Sequence, residues 1–466
     1  MQSEATAFKG RLEKLVVVLL ARRFKTLNDL WNIELELLAL QRDIQAALTR
    51  RKSGPRLSLK RDLDALREAL WHAKRFGDAF AWILFRNQRR SIYPLGENAR
   101  VPVPPEGHSA QGIAAIAAEL MGKGYLPFLH DITDVLRVGD ITLFRPDETP
   151  LTVEVKTSLV SSEPARAGGT THTYRVVATW PADGPLPVAL QGDLRPGPAP
   201  FPASAAGRSD RFRRQLSRMT KAKLLSSAEL GEDGKLLHID GRPTLLAEAR
   251  GAAGQSHWPL IRGLVRAARK TGFASGVAEE AVVYAAFYRK EAFDDPDTIA
   301  HLPELPKVLI ASGILFEGDL RDKNSLIVSV LPDWHGAGPH LYMPYYLYAL
   351  PRYAVVDLLH GRLILVSLLN LGRVAVALEE AGYRVELPTK DRDYARSPLR
   401  VFTETEVGST RFRVELGGLH LPLTEMIMEA RSPEYFVQWV RAAAQAAIAH
   451  APNVAEDPPR QHDHLG

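Results

Sequence analysis

The 466-residue chain contains no cysteine. That excludes disulfides, cysteine-ligated zinc, iron–sulfur clusters and thiol nucleophiles. It also suits a reducing compartment, so a cytoplasmic protein is expected. Long apolar runs are missing too. Leu15–Ala21 is too short to span a bilayer, and the stretch from Tyr353 to Leu378 is interrupted by Asp357, Arg362 and Arg373. No membrane partner is therefore expected. The first apolar segment follows Lys9, Arg11, Glu13 and Lys14 without a small-residue cleavage site, so no signal peptide is expected. No G-x-x-x-x-G-K-[ST] phosphate loop is present, which excludes an ATP-driven motor within this chain. No G-x-S-x-G nucleophile elbow occurs.

What is present is ordinary for a globular protein: 45% hydrophobic and 24% charged residues, enough for a sizeable core. The length allows about three domains. Net charge is only +5, but residues 1–100 hold 20 Lys and Arg against 11 Asp and Glu. That local excess suits a polyanionic partner, although a solvated basic surface would look the same.

Periodicity divides the chain into four parts. Residues 1–92 read as a helical N-terminal region, one helix ending before Ser53-Gly54-Pro55 and a second over about 60–74. Residues 93–275 read as a core, with a Pro-rich segment at 93–110, a helix over 109–123, strands at 135–144, 151–157 and 171–179, and a Pro/Gly-rich insertion at 180–207. A basic helix follows at 209–226. Residues 276–450 read as an α+β domain, with hairpins expected at 353–359/362–369 and 411–416/419–423 and a helix at 371–381. Residues 451–466 read as a disordered tail. The fold class expected is mixed α/β of the α+β kind.

The chemistry concentrates in Val138-Gly-Asp-Ile-Thr-Leu-Phe144 and Leu151-Thr-Val-Glu-Val-Lys-Thr157. Taken as an antiparallel hairpin, Ile141 and Leu143 must join Leu151, Val153 and Val155 on the buried face, because a one-residue slip would reverse every side chain. Asp140 and Thr142 then share the other face with Thr152, Glu154 and Lys156, and if Ile141 pairs with Val153, Asp140 falls directly opposite Glu154, about 5 Å away. Two carboxylates 4 Å apart repel by about 1 kcal/mol in water and roughly 4 at an effective dielectric of 20. Lys156 offsets part of this. A hard divalent cation with oxygen ligands would offset more, and could orient and activate a water for attack on phosphate.

This arrangement resembles the active site of the PD-(D/E)XK nuclease superfamily, whose core is the restriction-endonuclease-like fold. Asp140 matches the first acidic position and Glu154-Val155-Lys156 the E-X-K element, and the resemblance covers about residues 109–226. It implies that Asp140, Glu154 and the backbone carbonyl of Val155 hold Mg²⁺, or Mn²⁺ in its place, and that Asp140, Glu154 and Lys156 are catalytic. The literal Pro-Asp pair is absent. Glu119 stands near the end of the core helix, where many members place an acid earlier. Asp134 shares the strand parity of Asp140 and would be an alternative acid if the strand began sooner. Gln215 matches loosely a glutamine that some branches carry in a later helix.

In the basic helix, Arg211, Arg214, Arg218 and Lys221 form a stripe on one face that suits a nucleic-acid backbone. Other candidates carry less. His130-Asp131 lacks the further His and Asp of an HD-type phosphohydrolase, His257-Trp258 and Trp334-His335 read as structural or loop residues, and His462-Asp463-His464 falls in the tail. The expected function is a metal-dependent nuclease acting on DNA, in restriction, phage defence or repair, with a homodimer or a partner protein providing control. A nuclease-like fold that binds nucleic acid or scaffolds a complex without cutting is the alternative.

Overall fold

A computed structural model describes residues 4–21, 26–52, 59–96, 107–146, 148–164, 170–179, 206–229, 234–239, 242–246, 256–279, 281–288, 326–332, 342–386, 399–407, 410–416 and 419–455. It is mixed helix and sheet, and its sheets are small and antiparallel. Met1–Ser227 with Asp294–Pro296 and Trp334–Tyr348 forms one compact unit. Ala228–Phe293, Asp297–Asp333 and Ala349–Gly466 form the other.

In the first unit, helices α1 (Glu4–Leu20), α2 (Leu27–Lys52), α3 (Leu59–Leu84) and α4 (Arg89–Gly96) precede α5 (Gly107–Gly122). In α1 the buried Phe8, Leu12, Leu15 and Leu19 recur at helical spacing and form one apolar stripe. The second expected helix runs ten residues past 74, to Leu84. The reason is burial on all sides: His72 through Trp82 are buried without a break, so the segment has no amphipathic stripe to read. Gly77 lets α3 approach a 3₁₀ turn at His130–Ile132 very closely. A Cβ there would meet the Ile132 carbonyl oxygen at 1.9 Å.

The sheet of this unit has the order β1-β2-β3-β4, formed by β1 (Leu126–Leu129), β2 (Ile141–Phe144), β3 (Leu151–Pro164) and β4 (Thr170–Thr179). Strand β1 is not legible as a strand because all four of its residues are buried, leaving no alternation. Residues 135–140 are not strand, contrary to expectation. Their backbone partners lie in the helices instead: Asp78 Oδ1 accepts the N–H groups of Asp134 at 2.7 Å and Val135 at 3.0 Å, and the Arg137 N–H donates to the Leu95 carbonyl. Helix α6 (Ala206–Ser227) closes the unit. The insertion expected at 180–207 lies outside the described residues, apart from the first two residues of α6.

The second unit contains the hairpin β5 (Lys235–Ile239)–β6 (Arg242–Leu246) and helix α7 (Trp258–Thr271). Its main sheet has the order β7-β8-β10-β9, formed by β7 (Phe273–Ala278), β8 (Val282–Tyr288), β9 (Leu326–Leu331) and β10 (Leu363–Asn370), with α8 (Arg352–Leu359) between the last two. Val283, Ala285, Ile364, Val366 and Leu368 form its core. Helix α9 (Leu371–Glu380) follows, then the sheet β11 (Arg384–Glu386), β12 (Arg400–Val407) and β13 (Thr410–Leu416), then α10 (His420–Met428) and α11 (Pro433–Ala455).

Two expected hairpin arms are helices. Residues 353–359 belong to α8, where Ala354, Val355, Leu358 and Leu359 are buried at helical spacing and Asp357 pairs with Arg362 and Tyr288. A short apolar run does not distinguish strand from buried helix. Residues 420–423 open α10 instead of pairing with β13, whose partner is β12. Pro422 is compatible with that first turn, where no N–H is needed. Residues 456–466 of the expected tail lie outside the described residues.

Candidate active site

The register of β2 on β3 has the parity the apolar pattern requires: Ile141 opposite Val153, Thr142 opposite Thr152, Leu143 opposite Leu151. Ile141, Leu143, Val153 and Val155 are all buried, as an inward face requires. Continuing the register one step puts Asp140 opposite Glu154. Asp140 stands just before β2, and its groups tie that end of the strand to β3 and to the 3₁₀ turn at His130–Ile132. Its N–H donates to the Val153 carbonyl at 2.9 Å, and its carbonyl accepts from the His130 N–H at 3.0 Å. Its Oδ2 accepts the Val155 N–H at 2.6 Å, where a ladder carbonyl would otherwise stand. Within a strand, the N–H and C=O of one residue leave toward the same neighbour. The Val155 carbonyl therefore points to the same side as the Asp140 carboxylate.

Gly139 makes this position of Asp140 accessible. Its φ of +79° favours glycine, and a Cβ there would approach Thr152 Cγ2 to 2.6 Å. Gly139→Ala is expected to cost about 1–3 kcal/mol through backbone strain, with crowding of Thr152 added. Chemical denaturation of the full chain would measure it, and an unchanged midpoint would contradict this account of the turn.

The polar face around the pair is more covered than the sequence implied. Thr142 and Thr152 are buried. Thr142 Oγ1 lies 2.6 Å from His130 Nε2 and 3.0 Å from Thr152 Oγ1, giving a chain of three polar groups from the 3₁₀ turn after β1 across β2 to β3. Burial lowers the pKa of His130 to about 4, against opposing backbone hydrogen bonds at Val138 and Gly139, so the ring is neutral at pH 7. The unfolded chain takes up a proton near the ordinary pKa of ~6.5 while the native state does not, so this group's contribution to stability is present above ~6.5 and is lost as pH falls toward 4. The full effect is about 3 kcal/mol. His130→Gln should flatten the pH dependence of unfolding in that window, and a parallel pair of curves would contradict the burial argument.

The other expected residues distribute as follows. The side chains of Glu154, Lys156 and Arg211 lie outside the described residues; the backbones of Glu154 and Lys156 pair with Thr179 and Val177 of β4. Asp134 is buried in the turn held by Asp78 and is not on the strand, which removes the parity argument for it as the acid. Glu119 faces solvent on α5 and pairs with Lys123 at 2.7 Å, with nothing to join it to Asp140. Gln215 is half-buried and falls on the face of α6 that carries the buried Met219 and Ala222. Arg214, Arg218 and Lys221 flank that face, Arg214 exposed and the other two half-buried. Met219, Ala222, Lys223 and Ser226 line a small cavity with Thr152, and Ser226 also lines a groove with Thr149 and Pro150.

Pattern reading missed the polar network inside α3. Arg75 and Asp78 form a buried ion pair at 2.9 Å. The Arg75 guanidinium stacks on the Tyr342 ring at 4.7 Å, and His72 Nδ1 meets the Tyr345 hydroxyl at 2.8 Å. Lys74 donates to the Asp131 carbonyl. His257 is a structural residue, as expected, hydrogen-bonded to Tyr284 and close to Glu279. Trp334-His335 and His462-Asp463-His464 lie outside the described residues.

No protein-family model, curated protein or solved structure matches the chain. The function must therefore be argued from the site. Among the described residues no three His, Asp or Glu side chains are grouped to hold a metal ion, and no helix is long and apolar enough to cross a membrane. The donors at Asp140 and Val155 are hard oxygens, the type that Mg²⁺ and Mn²⁺ take.

Proposed function

We propose that this protein is a metal-dependent nuclease hydrolysing phosphodiester bonds, with DNA as its substrate. The observation that carries the reading is the register: Asp140 opposite Glu154, with the Asp140 carboxylate and the Val155 carbonyl on the same side of β3. Asp140, Glu154 and the Val155 carbonyl would hold Mg²⁺, which supplies charge neutralisation at the phosphate and a more acidic bound water. Lys156, two residues along the same strand face, would position the attacking water or stabilise charge on the phosphate oxygens. Gln215 and the flanking Arg214, Arg218 and Lys221 of α6 would position the backbone of the nucleic acid. Cytoplasmic restriction, phage defence or repair is the setting such an activity fits, and a second copy or a partner protein would restrain it.

The test incubates the purified protein and Lys156→Ala with plasmid, single-stranded DNA and RNA in Mg²⁺, Mn²⁺ or EDTA. Metal-dependent cutting by the wild type alone supports the reading; equal cutting by both refutes this site. One observation favours a second reading, a fold that binds without cutting: the Asp140 carboxylate is already engaged by the Val155 N–H. Under that reading, affinity for nucleic acid is the same in EDTA as in Mg²⁺ and no substrate is cut.

A further inference from the structure

Helix α7 in the second unit has the sequence Trp-Pro-Leu-Ile-Arg-Gly-Leu-Val-Arg-Ala-Ala-Arg-Lys-Thr, with four cations and no acid. Its apolar side is used: Trp258, Ile261, Leu264, Val265 and Ala268 are buried, and the Leu260 and Leu264 side chains reach Gly276 of β7. The opposite side carries Arg262, Arg266, Arg269 and Lys270, the last three exposed. At 1.5 Å rise per residue the row spans about 12 Å along the axis. Four like charges on one face repel, and a solvated helix usually answers them with acids at i±3 or i±4. Here the described residues supply none. Among the described residues, no ion pair or hydrogen bond joins Arg262, Arg266 or Lys270 to a carboxylate, and the Arg269 guanidinium lies over the Tyr353 ring at 4.4 Å. Beside the cations the surface is open, because a Cβ at Gly263 would meet nothing within 4 Å. The next exposed residue on that side is Ala267. Small residues there let a backbone come close to the helix.

We propose that this face of α7 binds the phosphate backbone of a nucleic acid, making the second unit a binding unit. A row of unanswered arginines matches closely spaced phosphates, to which a guanidinium can donate two hydrogen bonds. A lipid surface fits less well. Helices that lie on membranes bury their apolar face among the acyl chains, and in α7 that face is taken up by β7 and β8. The choice of nucleic acid as the polyanion rests on the nuclease reading; the charge row itself does not.

The full-length protein is titrated with a short DNA duplex in EDTA across a salt series, as wild type and as Arg262→Gln/Arg266→Gln/Lys270→Gln. Each phosphate contact contributes about 0.9 to the slope of log affinity against log salt. The triple variant is expected to lower the slope by about 2–3 and affinity at the lowest salt by tenfold or more. Removing the same number of charges at Arg373, Arg384 and Arg400 of the same unit should change the slope by less than half as much. Thermal unfolding of each variant checks that it is folded, and Arg266→Glu alone, at an exposed position, gives the same direction if the triple variant is not. Equal slopes for wild type and α7 variant overturn the proposal. So does a loss of binding to phosphatidylserine vesicles with DNA affinity kept. Binding is read in EDTA, so the two proposals fail separately. No cutting with a reduced slope sinks the nuclease reading alone, and cutting with an unchanged slope sinks this one alone.

Discussion

Lys156→Ala is expected to slow metal-dependent cleavage by about 10²–10³ while leaving nucleic-acid affinity in EDTA within about twofold, the size of loss seen when one preorganised donor is removed from a transition state. The strand should survive the change. Lys156 is held in β3 by its backbone pairing with Val177, and strand propensities span only about 1 kcal/mol. A fall in cleavage with unchanged unfolding therefore reports chemistry. Lys156→Arg sharpens the measurement, because it keeps the charge while replacing a compact ammonium by a planar fork. Partial recovery in Lys156→Arg would mean that charge at this register position is what counts. Single-turnover nicking of plasmid is the readout, and equal rates for wild type and Lys156→Ala would remove Lys156 from the site.

The part of the site that the sequence reveals is the part ruled by period-two burial. Ile141, Leu143, Leu151, Val153 and Val155 fix the parity of the pairing, and the pairing of Ile141 with Val153 then sets where Asp140 and Glu154 stand. What the pattern cannot show is where a backbone goes when its partners are not strands. Residues 135–138 look like strand because Val135, Leu136 and Val138 are apolar, yet the N–H groups of Val135, Leu136 and Arg137 answer to Asp78, Thr133 and α4. The same limit hides β1, which has no alternation, and the helical 353–359, whose length suits either state. In α3 the misreading runs the other way. His72, Lys74, Arg75 and Asp78 have the composition of a solvated face, but all four are buried, and only the tertiary partners reveal it. The cations of α7 are different. Their spacing and the absence of acids are visible in the sequence, but only the structure shows that the apolar side is already covered.

Asp78→Ala is expected to be the most damaging single substitution in the first unit for stability. Asp78 is fully buried and serves three groups: the Arg75 guanidinium through Oδ2, and the Asp134 and Val135 N–H groups through Oδ1. Burial pushes its carboxyl up from the usual range, and the Arg75 guanidinium at 2.9 Å opposes that shift. Truncation leaves a buried guanidinium without its carboxylate, a loss of about 3–5 kcal/mol. Two backbone donors lose their acceptor as well, at about 1–3 kcal/mol each if no water reaches them. Against a total of roughly 5–15 kcal/mol for a folded domain, the lower bound alone removes a large fraction. At about 2–4 °C per kcal/mol for a unit of this size, a fall in Tm of about 10 °C or more follows. The double variant Arg75→Met/Asp78→Leu discriminates between causes. It removes both charges together, so the ion-pair penalty vanishes, and what remains is the orphaned N–H groups and the lost contacts of Arg75 with Tyr342. The double variant should be less destabilised than Asp78→Ala, and the two single changes should add to far more than the pair costs. Were Asp78→Ala to cost under about 1 kcal/mol, the value of an exposed pair, the turn would not depend on it. The turn at 134–135 leads directly into Gly139 and Asp140. If Asp140 holds Mg²⁺ as proposed, any residual folded Asp78→Ala protein should bind it more weakly than the wild type, because the turn has lost the acceptor of its Asp134 and Val135 N–H groups.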